Sequence, residues 1–156
     1  MPTWVSPVWP RAVAAATALG QTGDTQVGIE LLYERLLEPD VSSDTKRLVA
    51  AALGGMEARS AVVPLTRLLQ DSDPLVRRWA VAALGELADQ QAVGPLSALL
   101  TNDPDPGVRI EAAFWLGKFG GATVESALTA ALTDGDENVR RLAAAALQEN
   151  GGGGEP

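Results

Sequence analysis

The residues of this sequence that could do chemistry fall into two recurring series. Cations stand at Lys46, Arg77, Arg109 and Arg140, and an acid precedes each arginine by four residues, at Asp73, Asp105 and Asp136. An acid and a guanidinium in fixed relation can form bidentate ion pairs, whereas clustered acids can hold a hard cation. Asp103, Asp105, Asp134 and Asp136 are so clustered, and Asp134-Gly135-Asp136-Glu137-Asn138 superficially resembles a calcium loop. It lacks the twelve-residue spacing and the terminal bidentate glutamate, and helix capping accounts for these acids without a metal. The chain contains no Cys and no His. Disulfides, thiolate catalysis and zinc thiolate sites are excluded, and the commonest general base and transition-metal ligand are missing. No Gly-rich phosphate loop and no nucleophile–base constellation is present. No catalytic residue, metal or cofactor is therefore assigned.

The elements that position these residues are helical. Apolar residues make up 46% of 156 residues, yet only 4% are aromatic, and Ala, Leu and Val dominate. Ala and Leu have the best helix propensities and let axes approach closely, while strand-favouring residues are too sparse for a sheet. The net charge of −8 opposes a nucleic-acid partner, because phosphate binding needs a basic footprint. It equally disfavours attachment to anionic lipid. No apolar stretch approaches the ~20 residues that span a bilayer, and Met1-Pro2-Thr3-Trp4 does not begin a secretory signal. The expectation is a soluble, cytoplasmic chain.

The pair Leu-Gly recurs at Leu19-Gly20, Leu53-Gly54, Leu84-Gly85 and Leu116-Gly117, at spacings of 34, 31 and 32 residues. Leu147 continues the series. Lys46, Arg77, Arg109 and Arg140 each stand seven residues before the leucine of their unit. Downstream, Leu65, Leu96 and Leu128 repeat, as do Leu69, Leu100 and Leu132. Each unit reads as two helices. The first runs from the Asp to the Leu-Gly, with the Asp or a neighbouring residue as N-cap and Pro74 and Pro106 just inside the start. The glycine then marks a C-cap or a tight packing site. The second helix, about Ala92 to Leu100 in the best-defined unit, carries Pro95 in its first turn, as Pro64 does in the preceding unit. One hairpin cannot bury its leucine face alone, so units stack into a continuous core.

These features predict an all-α solenoid of about five helical-hairpin units over residues 1–150, near 6–40, 41–70, 71–102, 103–133 and 134–150, with 151–156 as a flexible tail. The first unit is the most divergent and carries Arg11-Ala12 in place of Val-Arg. Trp4 and Trp9 are expected to cap it, the alternatives being a truncated extra unit or a dimer contact.

The pattern Asp-x-x-Val-Arg-x-x-Ala-x-x-Ala-Leu-Gly, followed by a helix ending in Leu-Leu, resembles the HEAT-like repeat of phycobilisome lyases. Residues 71–134 match best and the resemblance extends over about 41–150. It implies that Lys46, Arg77, Arg109 and Arg140 form an inter-repeat ladder, with Asp73, Asp105 and Asp136 as the acids. It also implies that residues one and two places after each ladder cation face outward on the concave side. Arg47, Leu48, Arg78, Trp79, Glu111, Arg141 and Leu142 then form a displayed set, joined by Phe114 and Lys118 from the next turns. Trp115 stands where other units have Ala and is expected to plug the core.

Large apolar anchors beside arginines are the residues that dominate binding energy at interfaces. The reading is a non-catalytic scaffold or adaptor that binds another protein on the concave face. The alternative implied by the resemblance is a bilin lyase subunit, or a phycobilisome-associated chaperone or degradation factor, with a phycobiliprotein as partner. The Ala-rich face of the last helix leaves self-association open.

Overall fold

Short capping acids start the long helices. Asp73 accepts the Leu75 amide at 2.9 Å and Asp105 accepts the Val108 amide at 3.1 Å, while the Ser42 hydroxyl receives the Thr45 amide at 3.3 Å. Each satisfies an otherwise orphaned first-turn donor. Pro74 and Pro106 follow their caps directly, where a missing N–H costs nothing.

The computed structural model describes residues 14, 18, 23–36, 41–55 and 59–151. Its helices are α1 (Thr25–Leu36), α2 (Ser43–Gly54), α3 (Val62–Leu68), α4 (Pro74–Leu87), α5 (Val93–Asn102), α6 (Pro106–Phe119), α7 (Ala122–Ala131) and α8 (Glu137–Gly151). Single 3₁₀ turns at Arg59–Ala61 and Gln90–Ala92 lead into α3 and α5. Among the described residues there is no strand, and no helix is long and apolar enough to cross a membrane. The expected roles of Trp4, Trp9 and Arg11 fall outside the described residues, as do Leu19-Gly20 and the tail from residue 152.

The architecture is a two-layer helical array, an α-solenoid. The first helices of successive units lie side by side, α2 on α4, α4 on α6 and α6 on α8. The second helices form the other layer, in which α5 packs on α7, and each reaches forward to the next first helix: α3 to α4, α5 to α6 and α7 to α8. The repeated leucines Leu53, Leu84 and Leu116 are fully buried, as are Leu65, Leu96 and Leu128 of the second helices. Full burial of a leucine contributes roughly 1.5–3 kcal/mol, so this alternating ladder of leucines is the main source of cohesion. Leu132 departs from its series. It is 39% exposed, whereas Leu69 and Leu100 are buried, because no described second helix follows α7 to cover it.

The Leu-Gly glycines let the first helices approach. A Cβ on Gly54 would lie 2.9 Å from the Ala83 Cβ, and one on Gly117 would lie 2.8 Å from the Ala146 Cβ. The residue met is each time the one before the leucine of the next unit. Of the two expected roles, close packing is therefore the one these glycines fill; α4 and α6 continue past theirs to Leu87 and Phe119.

Candidate functional site: two sets of cations on the first helices

Seven positions before each leucine, the ladder cation lies between units. Arg77 makes a two-point contact with Asp103 of the next unit, Nε to Oδ2 at 2.8 Å and Nη2 to Oδ1 at 2.9 Å. Arg109 repeats it on Asp134 at 2.9 and 3.0 Å. Lys46, with a single ammonium, makes one contact to Asp71 at 2.6 Å. The remaining guanidinium nitrogen is tied to the arginine's own turn. Nη1 of Arg77 donates to the Asp71 and Ser72 carbonyls, and Nη1 of Arg109 to those of Asp103 and Pro104. Arg140 holds the Asp134 and Gly135 carbonyls in the same way.

The ladder exists, but its acids are not the expected ones. Asp73, Asp105 and Asp136 are consumed by capping: the last accepts the Asn138 and Val139 amides. The partners are Asp71, Asp103 and Asp134, two residues earlier. Each of these also accepts the amide of the capping aspartate, at 2.8–3.0 Å, so one carboxylate closes its own turn and binds the preceding unit. Clustered acids that sequence reading set against a cation site are thus engaged by arginine and backbone.

The electrostatics follow from this geometry. The hydrogen bonds that Arg77 donates to Asp103 hold it above the usual arginine range, and those from Arg109 to Asp134 do the same for Arg109. Burial pushes Asp134 up, but the hydrogen bonds from Arg109 and the Asp136 amide, with the charges of Arg109 and Arg140, leave it below 3.8. Asp73 is also lowered, first by the Ser43 side chain and then by the Leu75 amide. These pairs tie each unit to the next.

The second set of cations sits one residue further on and is held differently. Arg47 reaches Asp44 at 3.4 Å, Arg78 reaches Glu111 at 3.8 Å, and Arg141 donates to the Asn138 side chain at 3.3 Å. The Arg47 and Arg78 side chains are each 44% exposed, against 10% for Arg77. Contacts so long and so wet contribute little, and an incoming carboxylate can replace them.

Beside these cations stand the large apolar groups. Leu48, Trp79 and Phe114 are exposed, the last two at 43% and 46%. Leu142 is half-buried and packs partly on the core, so it is a flanking wall more than a projecting anchor. The Arg47 guanidinium lies 5.9 Å from the centre of the Trp79 ring, across the α2–α4 boundary, and Lys118 lies 4.7 Å from that of Phe114. Two shallow clefts open between the helices. The first, of about 270 Å³, lies between α4 and α6 and is lined by Leu75, Arg78, Trp79, Ala82 and Glu111. The second, of about 210 Å³, lies between α6 and α8 and includes Phe114, Lys118, Leu142, Ala145 and Glu149. Leu75 and Glu149 were not singled out in the sequence; the first is at an unspecified position of the motif in the first turn of α4, and the second lies beyond the motif near the end of α8.

The unit with the odd residues is internally compensated. Trp115 replaces the small residue of other units, packs against the core, and lies over Gly85. Its indole donates to Glu111 at 3.0 Å, and the other Glu111 oxygen faces Arg78. Gly107 lets the Arg78 stem lie close, since a Cβ there would meet it at 3.4 Å.

A stacked helical array with an internal Asp–Arg ladder and an exposed aromatic–cationic face defines a helical-repeat protein. The family described as HEAT repeats matches residues 29–106 and 93–155, and the chain belongs to it. Over 82 residues it is 40% identical to phycocyanobilin lyase subunit alpha of Synechococcus elongatus, a match covering 49% of this chain and 30% of that protein. Human deoxyhypusine hydroxylase, solved in complex with glycerol, superposes with a TM-score of 0.71 at 27% identity, covering 80% of this chain and 43% of that one. The chain thus spans less than half the length of either relative.

Proposed function

We propose that the chain is a repeat scaffold that captures a segment of another protein on the exposed face of α2, α4, α6 and α8. One observation carries this reading. Trp79 and Phe114 remain open to solvent at the mouths of adjacent clefts, while among the described residues every fully buried position of the core is aliphatic. Exposed Trp and Arg at the centre of a surface are the side chains whose loss weakens interfaces most, by about 2 kcal/mol or more each. The aromatic faces already carry cations, so the site is organised before a partner arrives. The reading assigns binding to this chain and no catalytic group.

The test is partner capture by wild type and by Trp79→Ala combined with Arg78→Glu. The expected result is at least a thirtyfold loss of affinity with helical content and melting unchanged. Unchanged capture by a folded double variant would place the binding face elsewhere.

The likeness to phycocyanobilin lyase subunit alpha supports a second reading, in which the partner is a phycobiliprotein and the chain handles its tetrapyrrole or acts as an assembly or degradation factor. Arg47, Arg78 and Arg141 could receive bilin propionates and Trp79 could stack on a pyrrole ring. The size of the cleft argues against enclosure: about 270 Å³ falls below the ~300–1,000 Å³ that buries a drug-sized ligand. Titration with phycocyanobilin decides. No change in its absorbance at micromolar protein removes direct bilin binding and leaves the protein partner.

A further inference from the structure

Resting on the reading that this face binds protein, we infer that its occupant is an amphipathic helix lying across the first helices, with an acidic flank along the Arg47, Arg78 and Arg141 edge. The argument begins with the order of residues along each first helix. The loose arginines come first, one residue past the ladder cation. Leu48 and Trp79 come next, and Phe114 lies one turn further on in α6. Exposed acids follow nearer the far ends, Glu86 on α4 and Glu149 on α8. The face therefore has a cationic edge, an apolar middle and an edge bearing acids, with α6 the exception: it carries Ile110 at the arginine position, Glu111 at that of Trp79 and Lys118 at that of Glu86.

The arginine edge is available in a way the ladder is not. Its three cations hold their neighbours at 3.3–3.8 Å, whereas the ladder pairs close at 2.6–3.0 Å. A carboxylate on a partner can displace Asp44, Glu111 or Asn138 from these arginines without breaking the stack. It also approaches the first turns of α2, α4 and α8, where helix dipoles favour negative charge.

The spacing of the clefts selects a helix. Packed helices lie ~8–10 Å apart, so the clefts that flank α6 repeat at roughly that distance. Two turns of a partner helix advance ~10.5 Å, which sets residues i and i+7 into consecutive clefts. An extended strand would also reach, but at ~3.3 Å per residue its side chains alternate faces and every second one would point to water. A helix keeps one apolar stripe on the clefts and one acidic flank on the arginines, as helices do in other grooves.

Three synthetic 18-residue peptides test this by calorimetry and Trp fluorescence: a helix with leucines at i and i+7 and glutamates on one flank, the same helix with lysines on that flank, and the glutamate peptide shuffled. The glutamate helix is expected to bind at least tenfold more tightly than the other two, and more weakly as salt rises. In the triple variant Arg47→Glu, Arg78→Glu, Arg141→Glu the lysine helix should become the better ligand. Equal or tighter binding of the lysine helix to wild type overturns the charge order, and equal binding of the shuffled peptide overturns the helix. If all three bind alike and Trp79→Ala abolishes each, the face stands and this inference fails. If none binds, the helix assignment is wrong, and capture of a protein dependent on Trp79 remains to be judged by its own test.

Discussion

The ring of Trp115 occupies the space that a side chain on Gly85 would need, so that a Cβ there would run into the indole. Gly54 and Gly117 face alanine at the equivalent place, so the first helices meet through glycine against whatever precedes the next leucine. In this unit that residue is the largest available. Its indole N–H would be costly to bury unpaired, and Glu111 accepts it. Two departures from the repeat pattern are thus one adjustment.

Gly85→Ala should destabilise the fold by about 1–3 kcal/mol through overpacking, although alanine is ordinarily the better helix former by about 1 kcal/mol. Adding Trp115→Ala should shrink the cost of the Gly85 substitution without abolishing it, because an alanine at 115 would still crowd the new Cβ as Ala83 would crowd one on Gly54. Urea unfolding of the four proteins measures the coupling. Additive effects would mean that the two residues do not share this space.

Asp103 and Asp105 stand two residues apart and should differ several-fold in cost. Asp103→Asn leaves Arg77 charged and buried without its partner, which costs about 3–5 kcal/mol. Asp105→Ala removes a helix cap, at about 1 kcal/mol. Chemical denaturation ranks them, and the reverse order would restore the capping aspartates as the ladder acids.

Stability should be nearly flat between about pH 5 and 8, where this histidine-free chain has little to titrate, and fall below about pH 4. The sign follows from Asp134 and Asp73, whose folded-state values lie below the ordinary 3.8. Such groups stabilise the fold above the unfolded value, and the contribution is lost as pH falls through the folded one. Urea midpoints from pH 3 to 7 should therefore drop less steeply in acid for Asp134→Asn, which starts lower. Parallel curves would mean that Asp134 is not linked to folding.

Ala88 ends α4 at φ 50°, in the left-handed region that a Cβ disfavours. Ala88→Gly should raise stability by up to about 1 kcal/mol, read as a higher melting temperature, since glycine adopts this conformation freely and helices commonly end on it. A lower melting temperature would show that the side chain contributes more than the strain.

What the sequence determined by itself was whatever depends on period. Lys46, Arg77, Arg109 and Arg140 lie seven residues before their leucines, so the chain alone yields the helices and their stacking, while the resemblance to HEAT-like repeats implies the ladder role of these cations. The same resemblance implies that the neighbouring Arg78 and Trp79 face outward. Period could not choose between the two aspartates of each turn. Asp103 and Asp105 recur together in the next unit as Asp134 and Asp136, so both fit the repeat equally. Only the approach of the following unit decides, bringing Asp103 to 2.8 Å of Arg77 and leaving Asp105 on its own helix. The same holds for Glu111, which sequence placed on the outer face. Its tie to Trp115, four residues on in α6, is one that helical spacing allows, but its reach to Arg78 arises from α6 lying against α4, a contact that no residue spacing encodes.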